Sequence, residues 1–461
     1  MSASPDVFLT TSNLSAAMKQ MPNLRFSPAH RRNLPLITVD DTVQYQRFMG
    51  IGAAMTDTSA WLLHDQLPSA TRLAVMADLF SSQGIHLNVL RVPMGASDFT
   101  VGGTPYTYDD MPAGQSDPTL ARFSVAHDEP YILPVLRQAR RINPALQILA
   151  NPWSPPAWMK TSSSLGPSNP LGSLLPSAYD PFARYFVKFI QAYAAQGVTV
   201  DAITPQNEPV VAKTYPSLRL PEPSQESFIL NNLKPAMATA GLSTEIYGND
   251  DSWNDWQDAG TLAASPAGLE LAGMAWHCYF GSPTVMSQLH AAHPGLDEIA
   301  SECSPEIRPT AAGEYLISSL RNWASAALVW NVALDPQGGP VQPPNPSCQR
   351  CTGVVTVNET THRARFSRKY YQLGQVSEYV QPGAVRIDSP NFVTYGLSQF
   401  GTSATSPGLD DVAFLNPDGS KVLVVYNGGP TGSFAVGTRG RYFTYRLAQG
   451  AMVTFVWDRP S

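Results

Sequence analysis

The chain has 461 residues, 43% of them apolar and only 14% charged, with 41 prolines and 33 glycines. That is enough apolar material for a sizeable core, and it excludes intrinsic disorder, which combines low hydrophobicity with high net charge. A formal charge of −6 argues against a nucleic-acid partner, and no apolar run reaches the ~18 residues of a membrane span.

The first residues, Met1-Ser2-Ala3-Ser4-Pro5-Asp6, lack the basic and apolar regions of a signal peptide. The expectation is a chain that is cytosolic or already trimmed. Val7–Thr10 and Leu36–Val39 read as strands, too few to fold alone. From there, eight short apolar strands are predicted at Arg47–Ala53, Asn88–Val92, Gln147–Ala150, Ala202–Pro205, Thr244–Tyr247, Gly273–Trp276, Glu298–Ser301 and Ala326–Asn331. Helical spacing recurs between them, as in Tyr131–Ile142, Pro181–Ala195, Gln225–Ala240 and Ala312–Trp323. Continuously apolar strands separated by helices indicate a covered parallel sheet, and eight such units predict a (β/α)8 TIM barrel. A doubly wound sheet is the alternative, but no Gly-x-Gly-x-x-Gly turn follows the first strand.

Beyond the barrel, Asn391–Gly396, Asp411–Leu415, Lys421–Tyr426, Gly432–Val436 and Met452–Trp457 alternate or are β-branched. Turn signals such as Asn416-Pro417-Asp418-Gly419 and Asn427-Gly428-Gly429-Pro430 separate them. A small antiparallel β-domain is expected, fed by both chain ends: strands from 1–40, a barrel over 41–375, and the rest of the β-domain over 376–461. Cys348 and Cys351, just after Pro343-Pro344-Asn345-Pro346, are read as a loop-closing disulfide suited to an oxidising compartment. Cys278 and Cys303 stand alone, and a four-cysteine zinc site is disfavoured.

In such a barrel the reacting groups sit after the carboxyl ends of the strands. Two carboxylates stand out there, Glu208 after strand four and Glu302 after strand seven. Strands four and seven face one another obliquely across the mouth, so the two side chains can flank one substrate atom. Glycosidic bond cleavage needs such a pair, one protonated to release the leaving oxygen and one ionised. Asn207 can donate to a substrate hydroxyl, and Arg91 can pair with Glu302 and keep it ionised. His277 and Tyr279 can hold it in place, and Trp153 and Trp330 offer flat faces to a sugar ring. His290 and His293 lie on a separate helix and loop, so no metal cluster is suggested.

The motifs then resemble a known family, the glucosylceramidase-like enzymes of glycoside hydrolase family 30. The shared segments are Gly50–Asp57, Arg91-Val92-Pro93-Met94 with Asp98-Phe99, Pro152–Thr161, Asn207-Glu208-Pro209, His277 with Tyr279, Ser301-Glu302, and Trp330–Pro340. The resemblance covers nearly the whole chain. It implies a retaining mechanism with Glu302 as nucleophile, Glu208 as acid/base and Asn207 on the 2-hydroxyl. It places Asp98, Trp153, Tyr279 and Trp330 around the substrate, with Arg91, His277 and Tyr279 supporting the nucleophile. It also implies that the chain ends form a β-sandwich beside the barrel. Cys278 departs from the pattern, standing where close relatives often carry an aromatic residue, and the loop Pro340–Gly353 differs from that of the animal lipid-cleaving enzymes.

The expected function is an exo-type retaining β-glycosidase acting on β-glucosides. The alternatives are an endo-β-1,6-glucanase or a β-xylosidase or β-fucosidase of the same family, and, outside enzymes, a carbohydrate-binding barrel that has lost catalysis. The expected partner is a β-linked carbohydrate or glycoconjugate. No metal or organic cofactor is needed. The low-lysine, Ala- and Pro-rich composition leans towards a secreted bacterial protein.

Overall fold

The computed structural model describes residues 4–29, 33–166, 172–211, 215–307, 311–342, 348, 350–390 and 408–458. Eight strands form a closed barrel. They are β1 (Gly50–Ala54), β2 (Val89–Pro93), β3 (Gln147–Asn151), β4 (Ala202–Ile203), β5 (Glu245–Ser252), β6 (Gly273–His277), β7 (Asp297–Glu302) and β8 (Ala324–Val329). Neighbours pair in parallel in chain order, and β8 closes on β1 with Ala326 opposite Gly50.

Side chains along a strand alternate in direction, so residues two apart share a face. Val89, Leu149 and Ala275 face the barrel interior in one apolar cluster with Tyr247, Ile299, Ala326 and Leu328. Two positions on, the same face carries Arg91, Asn151 and His277. The interior is therefore apolar at its floor and polar at its mouth. Helices cover the outside. Tyr179–Ala195 buries Phe182, Tyr185, Phe186, Phe189, Ile190 and Tyr193, and Ile132–Ile142 buries Leu133, Val135, Leu136 and Ala139.

The structure shifts several predicted elements. The strand expected at Arg47–Ala53 is two: Asp40–Arg47 pairs with Val385–Asp388 in the β-domain, and the barrel begins only at Gly50. The helix expected over Gln225–Ala240 runs as Glu222–Phe228, a π-turn at Ile229–Leu233, and Lys234–Thr239. Pro235 accounts for the break: it has no N–H to donate and its ring displaces the carbonyl one turn back, which a wider turn accommodates. Strand β5 runs on to Ser252, well past Tyr247. The predicted strand Asn391–Gly396 lies outside the described residues.

The chain ends form a sandwich. Its larger sheet has seven strands in the order Lys19–Met21, Asp6–Thr10, Met452–Trp457, Lys421–Asn427, Leu409–Leu415, Val385–Asp388 and Asp40–Arg47; the smaller joins Arg441–Leu447, Gly432–Thr438 and Leu36–Thr38. Val7, Ile37, Leu423, Val425, Phe434, Val436, Phe443, Val453 and Phe455 form the core between them. Helices Ala312–Arg321 and Arg368–Ser377 join this sandwich to the barrel. The Gln375 amide donates to Thr10 Oγ1 at 2.8 Å, the Thr454 hydroxyl donates to the Gln375 carbonyl at 2.6 Å, and Arg321 reaches the Asp411 carbonyl at 3.0 Å. No helix among the described residues is long and apolar enough to cross a membrane.

Candidate active site

The site is built from β2 upward. Arg91 is fully buried at the carboxyl end of that strand. A buried guanidinium must be paired, because its desolvation is otherwise prohibitive. Its Nη1 donates to Glu302 Oε2; its Nη2 donates to Asn207 Oδ1 at 2.8 Å and to Asp250 Oδ2 at 2.9 Å. One cation thus ties the ends of β2, β5 and β7 to the turn after β4.

Asp250 is the site residue that sequence reasoning missed. It is fully buried and also accepts from Thr204 Oγ1 (2.7 Å), Ser301 Oγ (2.7 Å) and Asn151 Nδ2 (3.1 Å). Burial raises its carboxyl, but the Arg91 charge and the His277 and Thr204 hydrogen bonds outweigh that and hold it well below the usual carboxylate range. The strand expected at Thr244–Tyr247 continues through Gly248-Asn249-Asp250-Asp251 to Ser252. The backbone bulges: Asn249 and Asp250 both take left-handed φ (66° and 60°), and the register against β6 shifts there. A bulge turns one extra side chain inward, and here that side chain is Asp250. The available signal was a run of carboxylates directly abutting an apolar strand.

His277, at the end of β6, is buried between both glutamates. Nε2 lies 3.1 Å from Asp250 Oδ1, and Nδ1 lies 3.3 Å from Glu208 Oε1 and 3.8 Å from Glu302 Oε1. Burial lowers its basicity, yet the Glu302 charge and the hydrogen bonds to Asp250 and Glu208 raise it to about 10. Carboxylate oxygens beside both ring nitrogens suit an imidazolium that donates from each.

Glu208 follows β4 with a left-handed backbone (φ 44°) although Pro209 comes next, a combination that is sterically unfavourable and is held by outside contacts. Its N–H donates to the Asp250 carbonyl at 3.0 Å, and the Pro209 carbonyl accepts from Leu220 at 2.8 Å. Gln206 braces the turn by donating to the carbonyls of Trp153 and Asn207, both at 2.8 Å. Asp251 is buried beside Glu208; burial first, then the charges of Glu208 and Asp255, push its carboxyl well up. The Tyr279 hydroxyl donates to Glu302 Oε1 at 2.7 Å. One oxygen each of Glu208 and Glu302 and a nitrogen of His277 lie within 4.8 Å of one another. The same three atoms could surround a cation, although Glu302 is already paired with Arg91.

The aromatic wall lies alongside. Trp153 and Trp330 stack at 5.1 Å between ring centroids, tilted by 22°, and the Arg91 guanidinium carbon sits 4.9 Å from the first ring and 5.6 Å from the second. Phe99, Tyr215, Cys348 and Cys351 pack with them. Asp98, on the loop after β2, is nearly buried, and its carbonyl accepts from Gln342 N at 2.8 Å. The structure thus gathers Glu208, Glu302, Asn207, Arg91, His277 and Tyr279 at one mouth, with Trp153 and Trp330 beside Arg91.

The expected Cys348–Cys351 disulfide is present. The reading of Cys278 and Cys303 as solitary is corrected: they form a second disulfide. They lie far apart in sequence but follow the ends of adjacent parallel strands, which is why inspection of sequence neighbours did not pair them.

Comparison with known proteins places this architecture. Residues 48–380 match the glycosyl hydrolase family 30 TIM-barrel domain, and residues 383–455 match the family's beta sandwich domain. An endo-1,6-beta-D-glucanase of Neurospora crassa is 34% identical over 85% of this chain and 81% of its own length. The lysosomal acid glucosylceramidase of Mus musculus is 29% identical over 85% and 77%. Among solved structures, the endo-beta1,6-glucanase BT3312 superposes with a TM-score of 0.85 at 29% identity, covering 99% of this chain and all of that one. SrfJ from Salmonella typhimurium superposes at 0.88 with 25% identity, covering both chains fully. With both domain models matched in order across the chain, this protein belongs to glycoside hydrolase family 30 and is a glycoside hydrolase acting on O-glycosyl bonds.

Proposed function

We propose that the chain is a retaining endo-β-1,6-glucanase, cleaving internal linkages of a β-1,6-glucan through a covalent glycosyl-enzyme. The observation that carries the chemistry is the approach of Glu208 and Glu302, with an oxygen of each within 4.8 Å. Double displacement uses carboxyls about 5 Å apart, whereas direct attack by water needs about 6.5–9.5 Å.

In this reading Glu302 attacks the anomeric carbon while Glu208 gives its proton to the departing glycosidic oxygen. An ester to Glu302 forms and the C–O bond to the leaving chain breaks. Glu208, now a carboxylate, takes a proton from water, whose oxygen displaces Glu302. Arg91 and Tyr279 fix both oxygens of the nucleophile, one each. Asn207 has its Oδ1 committed to Arg91, which turns its amide N–H groups to a substrate 2-hydroxyl. Trp153, Trp330 and Asp98 border the sugar that becomes the ester. His277 stays cationic through the working range and bridges the two glutamates, so the proton that moves belongs to Glu208.

Sequence reasoning placed exo-type β-glucosidase action first. The relatives favour the endo reading: endo-1,6-beta-D-glucanases of Neurospora crassa, Aspergillus fumigatus and Trichoderma harzianum are 32–34% identical, against 29% for the mouse glucosylceramidase. Two disulfides also support folding in an oxidising compartment, as a secreted enzyme does. The test is a time course on a linear β-1,6-glucan beside nitrophenyl β-glucoside. A ladder of oligosaccharides before glucose is expected. Glucose as the sole early product, or turnover of the aryl glucoside alone, overturns the endo assignment.

A further inference from the structure

Cys278 and Cys303 are the first residues beyond β6 and β7. One position earlier, His277 and Glu302 lie opposite each other in the parallel ladder. The register therefore brings the two cysteines to one height, with their Cα atoms 5.2 Å apart, and both are buried. The ladder is irregular at this very point: the β6–β7 register slips between Trp276 and His277. A slip interrupts regular pairing and loosens the spacing of two strands. The last main-chain bond across the gap, from Cys278 N–H to the Glu302 carbonyl, is 3.2 Å long. Beyond it, the disulfide joins the strand ends covalently, alongside the hydrogen bond from Tyr279 to Glu302.

The chain neighbours of that bond reach the proposed reaction centre, while its sulfurs lie in the apolar core outside the barrel. Cys278 sits between His277, which faces both glutamates, and Tyr279, whose hydroxyl holds Glu302. Cys303 directly follows Glu302, and its carbonyl accepts from the N–H of Trp330 at 2.8 Å. A relative movement of β6 and β7 would thus change the Tyr279 and His277 contacts to Glu302 and the seat of Trp330 together. A displacement near 1 Å at a reacting group costs about a hundredfold in rate.

We propose that the Cys278–Cys303 disulfide is a positioning element for Glu302, clamping the carboxyl ends of β6 and β7 so that the nucleophile keeps its donors. The proposal rests on the reading of Glu302 as nucleophile. The bond also closes a loop of sequence separation 25, which restricts the unfolded chain. Lower thermal stability of a variant is therefore expected and does not by itself discriminate.

The test uses Cys278→Ala/Cys303→Ala and the better-filled Cys278→Val/Cys303→Ala, so that one remains folded if the other leaves a destabilising void. Kinetics are measured on a linear β-1,6-glucan well below each variant's Tm. The expected result is a fall in kcat of roughly ten- to a hundredfold with little change in KM, because fewer donors reach the Glu302 carboxylate in the transition state while substrate contacts stay in place. A folded variant of either kind with wild-type kcat, or one whose loss lies in KM alone, overturns the proposal, whatever its Tm. Wild-type protein is labelled in parallel with an activated 2-deoxy-2-fluoroglucoside. Label on a residue other than Glu302 defeats the underlying assignment, whereas label on Glu302 with unchanged variant kinetics defeats the clamp alone.

Discussion

Strand β7 carries carboxylates at both ends, and they sit in opposite surroundings. At the floor, Asp297 accepts from Ser325 Oγ at 2.6 Å and from the Tyr247 hydroxyl at 3.1 Å, and Glu298 accepts from the Trp276 indole at 2.5 Å. All these donors are neutral. Burial accordingly dominates: it raises Asp297 to about 6 and Glu298 well above its ordinary range. At the mouth, Glu302 and its neighbour Asp250 meet Arg91 and protonated His277, and Asp250 is held low although it is fully buried. Burial alone raises an acid's pKa, whereas for Asp250 a fixed cation beside it reverses that direction. The first suits a scaffold, and the second suits the ionised nucleophile that the proposed mechanism assigns to the mouth.

The sharpest way to break this contrast is Glu302→Gln. It should lower kcat at least about a thousandfold and abolish fluorosugar labelling, and an active mutant would end the assignment of the mouth as the reaction centre. Arg91→Met should come next. It strands Asp250 and Glu302 without their cation, and breaking such a buried pair costs about 3–5 kcal/mol. A urea melt showing a loss below about 1 kcal/mol would mean that the anions at the mouth do not depend on Arg91. His277→Gln should act through pH. A histidine raised to about 10 contributes stability in full below its unfolded value near 6.5 and loses it as pH rises through 10. Wild-type Tm should therefore fall between pH 7 and 10 more steeply than that of the mutant. Parallel curves would show that His277 does not carry the extra proton.

The contrast also explains what could be read in the sequence. The barrel floor follows from a short-range regularity: apolar residues on short strands, separated by helical spacing. Glu208, Glu302, Asn207 and Arg91 were legible because they stand at strand ends, where polar residues interrupt apolar runs. Asp250 was hidden, because a bulge rather than a residue pattern turns it inward, and two left-handed residues in a row look like a turn. The π-turn before Pro235 and the Cys278–Cys303 bond were hidden for related reasons. One answers a local steric demand inside a helical pattern, and the other needs the register between two strands separated by a helix. Specificity was less legible still, since exo and endo action differ in how the rim is shaped, while the bond-breaking residues can be shared.

The floor offers the smallest and most discriminating test. Asp297→Asn replaces a carboxyl by a neutral group of the same shape, with Ser325 and Tyr247 still able to donate to its oxygen. In wild type the folded-state value of about 6 lies above the unfolded value near 3.8. The folded protein therefore binds more protons than the unfolded one between those limits, and stability falls as pH rises through them. At pH 4 the mutant should match wild type. By pH 7 it should be the more stable, by roughly 1–2 kcal/mol once screening at its partly exposed edge is allowed for. Because Asp297 touches nothing at the mouth, the kcat/KM pH profile should not move. A mutant equally destabilised at both pH values would show that Asp297 is ionised and satisfied like the mouth acids, and the opposition between the two ends of β7 would fail.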